Sequence, residues 1–571
     1  MSKLSYEHNP LKSQYDGRLW YQLLDSKAEQ YPDIEAVIMY DMDLNRSVMT
    51  FAEYRDRSIL LATSLLNVGL SRGQRVLMIG RTSLPFMVFS MALNRIGCNE
   101  ILLGPGMLTP DKVELLKTIN CQLIAYDSRM NEFQKKQLLE GIKQLTQHNV
   151  DNQIKKQVLV SLSSVTEEVL NDEYHSYESL LVGGQSQSLQ KLQDAQNEVQ
   201  FDDPIVTMIT SGSTGVPKIV QYTSHSILNY YAGSPFFLAH IPRETMYIDR
   251  PFSWAAGYIF CQSVLCSNTT LVWVPTERAV SETSGNSVFE IWEKEKCTFC
   301  SLSISLIYKL FADKLYLQYN LSQIKCFTLT GQRFSLEHFA KVFEMFPNAD
   351  VMLLYGCTEC PKIAQEIFGK GWLVEGKLGK LSLSSGSEIK VVDTKEKIVP
   401  RGMSGEICVR NSTVFLEYLD NPEATKQNKS PTGWFHTGDI GIMYDDGKIE
   451  VLGREKEIIK GAYDKVFPAE IEKVLLKHPS VADVCVVGVP DHRLHEEICA
   501  CVVLKETEEQ SCDEKIKKEL QDWCKEQWPP GPDGMSLTPK YFLAMKSFPF
   551  TATGKVFRRE IKAEAIKCLS L

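Results

Sequence analysis

Segments of helical and of strand character alternate along the chain from residue 18 to about residue 126. Apolar residues recur at helical spacing over residues 18–30 and 51–68, and residues 83–97 form a third, largely apolar helical segment. Residues 75–79 and 122–125 are short apolar runs typical of buried strands. An alternation of this kind predicts βαβ units, and therefore a parallel sheet covered by helices.

The remainder of the chain divides into three stretches of different composition. Residues 130–200 are rich in Gln, Lys, Glu and Ser, which predicts helices, loops and an ill-ordered insert with little strand character. Short β-rich pieces and turns are expected over residues 245–453. Residues 455–571 have helical and strand-like segments of their own, predicted at residues 468–477, 484–489, 498–504 and 512–526. Because 571 residues exceed one ordinary core, we expect two or more domains.

Composition argues against several classes of protein. The 62 basic and 71 acidic residues sum to −9, and such a surface repels the phosphates of nucleic acids. No apolar run approaches the ~18 residues that span a bilayer. The cysteines lie singly inside apolar runs, as in reducing compartments. The start of the chain does not resemble a signal or transit peptide, and Leu569-Ser570-Leu571 does not match the Ser-Lys-Leu peroxisomal address, so the cytosol is expected.

One loop rich in glycine and hydroxyl groups is the strongest local indication of chemistry. It follows an apolar strand predicted at residues 205–209 and has the sequence Thr210-Ser211-Gly212-Ser213-Thr214-Gly215-Val216-Pro217-Lys218. Its glycines permit tight turns whose N–H groups can converge on an anion, and its hydroxyls and lysine are further donors suited to phosphate. The spacing is not that of a Walker A loop. Taken alone, the loop could equally be a flexible Ser/Gly segment.

Five further motifs follow this loop in the chain. They are Tyr355-Gly356-Cys357-Thr358-Glu359, Gly433-Trp434-Phe435-His436-Thr437-Gly438-Asp439, Gly453-Arg454-Glu455-Lys456, Pro468-Ala469-Glu470-Ile471-Glu472 and Thr553-Gly554-Lys555. In kind and order, the six motifs resemble the adenylate-forming superfamily of acyl-CoA synthetases, firefly-type luciferases, coumarate ligases and peptide-synthetase adenylation domains. The resemblance covers roughly residues 200–560. It implies activation of a small carboxylic acid by ATP and Mg²⁺ as an acyl-adenylate, followed by transfer to a thiol, most simply that of coenzyme A.

The resemblance also implies roles for individual residues. Those expected to bind the nucleotide are Thr210, Ser211, Gly212, Ser213, Thr214, Gly215, Lys218, Gly331, Gln332, Tyr355, Asp439 and Arg454. Thr358 would contact the α-phosphate, and Glu359 would ligate Mg²⁺. Asp439 and Arg454 would bind the ribose, while Lys555 would bridge the substrate carboxylate and the phosphate.

The acid pocket that the resemblance implies has few charged residues. It is expected to be formed by Phe252, Trp254, Gly257, Ser303, Gly331, Gly356 and Cys360. Its polarity favours an apolar acid, either medium-chain fatty or aryl, over an amino acid.

The implied fold is α/β, with two domains of unequal size. A large N-terminal domain of layered sheets and helices, with a β-rich subdomain, would span residues 1–453, and a small mobile α+β domain would span residues 455–571. Lys456 would sit at the hinge between them. Rotation of the small domain would present first Lys555 and then the loop around Lys460, so that one site serves two half-reactions.

Three departures from the family pattern leave alternatives open. Arg333 replaces a proline of the adenine-side motif, and Trp254 stands where luciferase-like members have histidine. Ala462 or Tyr463 stands where thioester-forming members place a glycine, and a side chain there could obstruct the pantetheine arm. The acceptor could therefore be a separate acyl carrier protein. A luciferase-like oxygenase and a catalytically inactive scaffold are further alternatives.

Two Cys-x-x-Cys pairs offer a more remote possibility. Cys297 with Cys300, and Cys357 with Cys360, supply the four thiols that a structural zinc would need. The first pair falls in an apolar, strand-like run, and the second brackets residues already assigned to ATP. A zinc site is therefore the least favoured interpretation.

Overall fold

The computed structural model describes residues 3–151, 158–163, 174–185, 189–210, 217–233, 243–281, 286–312, 315–332, 334, 336–369, 371, 379–460, 466–491, 495–505, 514–529, 536–550 and 555–571. The helices of this part are α1 (Trp20–Gln30), α2 (Phe51–Asn67), α3 (Leu84–Arg95), α4 (Pro110–Lys117), α5 (Glu132–Asp151), α6 (Tyr177–Gln185), α7 (Leu189–Glu198), α8 (Ser224–Leu228), α9 (Ala255–Cys266), α10 (Thr276–Ser281), α11 (Asn286–Lys294), α12 (Ile304–Ala312), α13 (Leu336–Met345), α14 (Pro422–Asn428), α15 (Pro468–Leu475), α16 (Glu514–Gln527) and α17 (Arg558–Leu569).

The strands form three sheets. In chain order they are β1 (Tyr6–Asn9), β2 (Glu35–Tyr40), β3 (Arg46–Thr50), β4 (Arg75–Ile79), β5 (Asn99–Leu103), β6 (Leu123–Tyr126), β7 (Val158–Ser161), β8 (Tyr174–Ser176), β9 (Pro204–Ile209), β10 (Ile219–Thr223), β11 (Glu244–Ile248), β12 (Thr269–Trp273), β13 (Phe299–Ser301), β14 (Cys326–Thr330), β15 (Asp350–Cys357), β16 (Cys360–Phe368), β17 (Lys380–Leu383), β18 (Ser387–Val392), β19 (Ser404–Arg410), β20 (Glu417–Tyr418), β21 (Phe435–Met443), β22 (Ile449–Arg454), β23 (Val481–Asp491), β24 (His495–Leu504) and β25 (Tyr541–Ala544).

An eight-stranded sheet confirms the βαβ units predicted for the first part of the chain. Its order is β20-β10-β9-β5-β4-β6-β7-β8, and the run from β9 to β8 is parallel. Helix α2 begins where Thr50 accepts a hydrogen bond from the backbone of Glu53, and α3 begins where Ser83 does the same for Phe86. These caps satisfy N–H groups that a helix start leaves without partners. The prediction of little strand character in residues 130–200 was wrong for β7 and β8, which extend this sheet.

A fourteen-stranded sheet contributes most of the site. Its order is β1-β18-β19-β21-β22-β17-β16-β15-β14-β13-β11-β12-β2-β3. Strands β2, β12, β11, β13, β14 and β15 run parallel, and beyond β15 the pairing is antiparallel as far as β1. The expectation of β-rich pieces throughout residues 245–453 was therefore only partly right. Helices α9 to α13 alternate with strands up to Met345, and the antiparallel meander begins after β15.

The third sheet, β23-β24-β25, belongs to the C-terminal part of the chain. It packs with α15 and α16 around buried residues such as Ile471, Val486 and Leu520. The mixed α/β fold predicted from the sequence is confirmed, while the domain boundary at residues 453–455 stays a prediction. Across the described ranges, no helix combines the length and the apolar composition needed to cross a bilayer.

Candidate active site

The carboxylate of Asp439 lies at the centre of the site. It is buried in β21, where the Tyr355 hydroxyl donates to Oδ2 at 2.6 Å and Arg454 Nε pairs with Oδ1 at 2.7 Å. Asp439 and Arg454 are direct register partners in the β21–β22 hairpin. Burial raises the pKa of the Asp439 carboxyl, while Arg454 and Tyr355 oppose that shift. The strand pairing thus fixes a desolvated carboxylate between a phenol and a guanidinium.

A second hydrogen-bonded group holds the backbone just before Asp439. Glu406 Oε1 accepts from the Gly438 N–H at 3.0 Å, and Oε2 lies 2.9 Å from His436 Nδ1. The Cys408 thiol lies 3.5 Å from the same nitrogen. These contacts with Cys408 and Glu406 raise the pKa of His436 to about 10, so its imidazolium is charged at neutral pH. An ion pair between β19 and β21 therefore fixes the turn that places Asp439.

Lys218 and Glu359 are joined through a tyrosine. The ammonium of Lys218 donates to the Tyr418 hydroxyl at 3.2 Å, and that hydroxyl donates to Glu359 Oε1 at 2.8 Å. The Lys218 Nζ also lies 4.4 Å from the centre of the Tyr418 ring, a distance suited to a cation–π contact. Desolvation lowers the pKa of Lys218, partly offset by Glu359. A cation and a carboxylate are thereby held in one connected network.

Thr210 and Lys218 brace the base of the glycine-rich loop. The backbone N–H of Thr210 donates to the Lys218 carbonyl at 2.9 Å, and the Lys218 N–H donates to the Thr210 hydroxyl at 3.1 Å. Residues 211–216, which include the predicted ligands Ser211, Gly212, Ser213, Thr214 and Gly215, lie outside the described residues. The described residues on either side of this segment, Thr210 and Lys218, are held together by these two hydrogen bonds.

The predicted lysines of the C-terminal part differ in their surroundings. Lys555 is exposed, yet desolvation and then Arg454 lower the pKa of its ammonium, and Asp439 acts on it with opposite sign. It thus lies within electrostatic reach of the Asp439 carboxylate. Lys460 is exposed, and its backbone N–H donates to Glu496 at 2.9 Å. Lys555 therefore lies near Arg454 and Asp439, whereas the backbone of Lys460 is bonded to Glu496.

The wall predicted for the acid pocket is tightly packed at Phe252 and Gly257. Phe252 is buried, with its ring edge-on to Tyr258. A Cβ on Gly257 would lie 1.8 Å from the Pro251 carbonyl oxygen, so this position excludes a side chain. Trp254, half-buried, precedes α9 as its N-cap.

The hydroxyl of Ser303 is engaged with a buried carboxylate. It is buried, and its hydroxyl and backbone N–H both donate to the carboxylate of Asp249. Burial raises the pKa of Asp249 to about 6. The pair ties β11 to the start of α12, and Ser303 therefore supports the pocket wall.

The remaining predicted residues lie just after the C-terminal ends of two neighbouring strands, β14 and β15. Gly331 comes directly after β14 with φ +96°, a left-handed conformation that favours glycine, and half-buried Gln332 follows it. Thr358 and Glu359 form the turn of the β15–β16 hairpin, and a Cβ on Gly356 would lie 2.4 Å from the Pro361 carbonyl oxygen. Carboxyl ends of parallel strands are where open α/β sheets bind ligands.

The four cysteines of the Cys-x-x-Cys pairs are buried or half-buried. Cys357 and Cys360 are cross-strand partners, and the Cys360 thiol faces Asn411 and Thr413. Burial raises the pKa of Cys297 and Cys300 well above its usual value and that of Cys360 to about 11. Zinc requires thiolates, which these surroundings disfavour.

Three buried polar residues near the site were missed by the sequence analysis. They are Tyr418, Asp249 and Lys362. Tyr418 lies in no recognised motif, and its link to Lys218 spans 200 residues. Lys362 could have been noticed, because it is a lysine inside the strand that follows Glu359.

A large α/β body that holds a buried, ion-paired carboxylate and a lysine–tyrosine–glutamate network has the features of an enzyme that activates its substrate with a nucleotide. The chain belongs to the AMP-binding enzyme family, whose sequence pattern matches residues 24–419. The pattern of the AMP-binding enzyme C-terminal domain matches residues 470–555. The family resemblance stated from the motifs is therefore confirmed.

Similar proteins include acid-activating ligases. The medium-chain acyl-CoA ligase ACSF2, mitochondrial, of Danio rerio is 27% identical over 564 residues, covering 96% of this chain and 89% of its own length. The amide bond synthetase McbA from Marinactinospora thermotolerans superposes with a TM-score of 0.76 at 20% identity, covering 96% of this chain and 99% of its own. The anthranilate CoA ligase AuaEII, solved with anthranoyl-AMP, gives 0.76 at 19% identity, with 97% and 98% covered. The two structures show that the fold is shared.

Proposed function

We propose that this chain converts a carboxylic acid, ATP and coenzyme A into an acyl-CoA thioester, AMP and pyrophosphate. The observation that supports this most is the pairing of two networks, Tyr355–Asp439–Arg454 and Lys218–Tyr418–Glu359. The first suits the hydroxyls of a ribose, and the second suits phosphate with a divalent cation. The name of the Danio rerio relative supports a medium-chain acid as the first substrate to test.

In the first half-reaction, a carboxylate oxygen of the acid attacks the α-phosphorus of ATP. The bond from that phosphorus to the bridging oxygen breaks, and pyrophosphate leaves with the electron pair. Negative charge builds where two anions meet, so fixed positive charge stabilises the transition state more than the ground state. Lys555 would supply that charge at the α-phosphate, and Lys218 would bind the departing pyrophosphate.

Glu359 is the residue proposed to hold Mg²⁺. Tyr418 donates to its Oε1, and within the described residues no group donates to Oε2. A single oxygen of Glu359 is enough, because Mg²⁺ usually keeps several waters and takes its other ligands from the substrate phosphates. When bound, Mg²⁺ would neutralise charge on the phosphate oxygens.

The second half-reaction moves the acyl group to sulfur. The thiolate of coenzyme A attacks the acyl carbon, the bond from that carbon to the AMP oxygen breaks, and AMP leaves with the electron pair. Lys460 would approach the site only in this step, after rotation of the C-terminal part at Lys456. Ala462 and Tyr463 stand where thioester-forming members place a glycine, and they lie outside the described residues.

The proposed function is tested by pyrophosphate release. The protein is incubated with ATP, Mg²⁺ and a panel of fatty, aryl and amino acids, with and without coenzyme A. Acid-dependent release with formation of the thioester is expected. Pyrophosphate release without formation of the thioester would indicate that the acyl acceptor is a separate acyl carrier protein. Light emission with a luciferin would indicate a luciferase-like enzyme. Binding of neither ATP nor acid would favour an inactive scaffold.

Replacement of Tyr418 by phenylalanine should lower kcat/KM for ATP about 10- to 100-fold, because hydrogen bonds to charged groups contribute 1.5–3 kcal/mol. The aromatic ring stays, so packing is preserved while the Lys218–Glu359 link is lost. The Mg²⁺ concentration for half-maximal activity should rise as well. Tyr316→Phe is the matched control, because its hydroxyl donates to Glu344 at 2.6 Å on another part of the protein. Equal effects of both variants would exclude a positioning role for Tyr418.

The cytosol is the compartment that we propose for this activity. Most cysteines of the described residues are buried and none of them forms a disulfide, which suits a reducing environment. The Danio rerio relative is named mitochondrial, so the mitochondrion is the alternative compartment. Fractionation of cells that express the tagged full-length chain would separate the two.

A further inference from the structure

Three side chains of different chemistry meet where β19 and β21 pair. Glu406 and Cys408 lie in β19, and His436 lies in β21. The His436 Nδ1 is 2.9 Å from Glu406 Oε2 and 3.5 Å from Cys408 Sγ, and the three donor atoms all lie within 4.8 Å of one another. No other three His, Cys, Asp or Glu side chains of the described residues come together in this way. An oxygen, a sulfur and a nitrogen are the ligand atoms that zinc takes in proteins.

Strand pairing places these side chains on one face of the sheet. Cys408 and His436 are direct register partners, so their side chains point the same way. Glu406 precedes Cys408 by two residues and therefore shares that face. The register shifts between Glu406 and Cys408, an irregularity of the kind that re-aims side chains beside functional sites. The backbone thus brings the three donors together before any ligand binds.

The distances suit a tetrahedral zinc ion. Bonds of about 2.0–2.1 Å to nitrogen, about 2.3 Å to sulfur and about 2.0–2.2 Å to oxygen put the nitrogen about 3.6 Å from the sulfur and about 3.4 Å from the oxygen. The observed 3.5 Å from His436 Nδ1 to Cys408 Sγ needs no change. Glu406 Oε2, now at 2.9 Å from the same nitrogen, would withdraw by about 0.5 Å. This is a small movement at the end of a side chain with three rotatable bonds.

Solvent reaches two of the three side chains. Those of His436 and Glu406 are 19% and 23% exposed, while Cys408 is buried. Lys390, opposite Cys408 in β18, has its ammonium over the Trp434 ring, 4.8 Å from the ring centre, where the ring face stabilises its charge. A divalent ion held by a thiolate, a carboxylate and a neutral imidazole forms a group without net charge, which suits a half-buried place. The ion can therefore enter from solvent and keep a water molecule as its fourth ligand.

We propose that Glu406, Cys408 and His436 bind one Zn²⁺ ion together with a water molecule. On binding, the imidazolium and the thiol release protons to solvent, and the ion takes their place between the three donor atoms. Glu406 Oε1 accepts from the Gly438 N–H, so Oε2 is the oxygen that binds the ion. The ion would thereby brace the turn before Asp439. None of its ligands belongs to the Cys-x-x-Cys pairs, and the inference does not depend on the proposed acid activation.

The test uses Co²⁺, which binds where zinc binds and absorbs strongly in the near ultraviolet when a thiolate is one of its ligands. The full-length protein is treated with a chelator, dialysed, and titrated with Co²⁺ and then with Zn²⁺. One equivalent of Co²⁺ per chain should give the sulfur-to-metal charge-transfer band, and one equivalent of Zn²⁺ should remove it. Excess Mg²⁺ should leave the band in place, because Mg²⁺ prefers oxygen ligands.

Variants identify the ligands. Cys408→Ser should abolish the band and raise the Kd of Zn²⁺ more than about 100-fold, because loss of an outer-shell partner alone costs about 10- to 100-fold. His436→Gln, which can still hydrogen-bond to Glu406, should weaken Zn²⁺ binding as well. Cys568→Ser is the matched control, because it removes an exposed thiol in α17 and should leave the band unchanged. Melting temperatures without metal show whether each variant folds, and Zn²⁺ should raise that of wild type but not that of Cys408→Ser.

Two kinds of result would overturn the inference. The first is a wild-type protein without the band, or a band that Cys408→Ser retains. The second is a band that Cys568→Ser loses, since the thiol ligand would then be a surface cysteine. Acid-dependent pyrophosphate release is measured on the same preparations with Mg²⁺, so that failure of the zinc site and failure of the ligase function are distinguished.

Discussion

Lys555→Met should lower the rate of acid-dependent ATP–pyrophosphate exchange by about 10²- to 10³-fold, the usual cost of removing one fixed charge from a transition state. Methionine has a similar length and cannot carry charge. Asp439 and Arg454 remain, so the affinity for ATP should change little. The rate of thioester formation from a synthetic acyl-adenylate should also be nearly unchanged, because the proposed second half-reaction does not use Lys555.

Lys562→Met is the matched control for this variant. Lys562 lies in α17 of the same C-terminal part and pairs with Glu496, so its loss removes a lysine without touching the Asp439 group. If Lys555→Met lowered the rates of adenylation and of thioester formation equally, the proposal that Lys555 acts only in adenylation would be wrong. The comparison requires single-turnover measurements of each step.

Asp439→Asn should raise the Kd of ATP about 100-fold or more. The carboxylate can accept two charge-assisted hydrogen bonds from ribose hydroxyls, each worth roughly 1.5–3 kcal/mol, and an amide retains only one acceptor oxygen. Burial raises the pKa of Asp439, so its charged form is less favourable in the fold than in the unfolded chain. Removing the charge should therefore cost little stability, and the melting temperature should stay near that of wild type.

Titration calorimetry with ATP measures the affinity of this variant. Asp203→Asn serves as the control, because Asp203 is a carboxylate that pairs with Arg72 at the surface. Unchanged ATP affinity in Asp439→Asn would show that the nucleotide sugar binds at some other place. A large fall in melting temperature would instead indicate that the carboxylate serves the fold.

The sequence predicts the first βαβ part well because its periodicities are strong. The strand at residues 75–79 was predicted with the observed bounds, and α2 within one residue. The helices between residues 245 and 345 were missed for a physical reason. Helix α9, Ala255–Cys266, is buried nearly all round, so its apolar residues show no helical face to distinguish it from a strand.

Site residues that lie in sequence motifs were predicted, and those that meet only through contacts between distant parts of the chain were not. Asp439, Arg454 and Glu359 lie in motifs that can be read along the chain, and the structure brings the first two together. Tyr418 donates to Glu359 across 59 residues of sequence, and Lys362 donates to Ala232 across 130. Spacing along a sequence carries no information about such contacts, since they arise only when the sheet assembles.

The pairing of Asp439 with Arg454 lies beside the segment that leads to the C-terminal part. Arg454 ends β22, and the short 3₁₀ turn Glu455–Glu457 that leads to the C-terminal part starts at the next residue. In the mechanism proposed above, this ion pair borders the ribose and lies one residue from the linker. We therefore expect release of the nucleotide and rotation of the C-terminal part to be coupled.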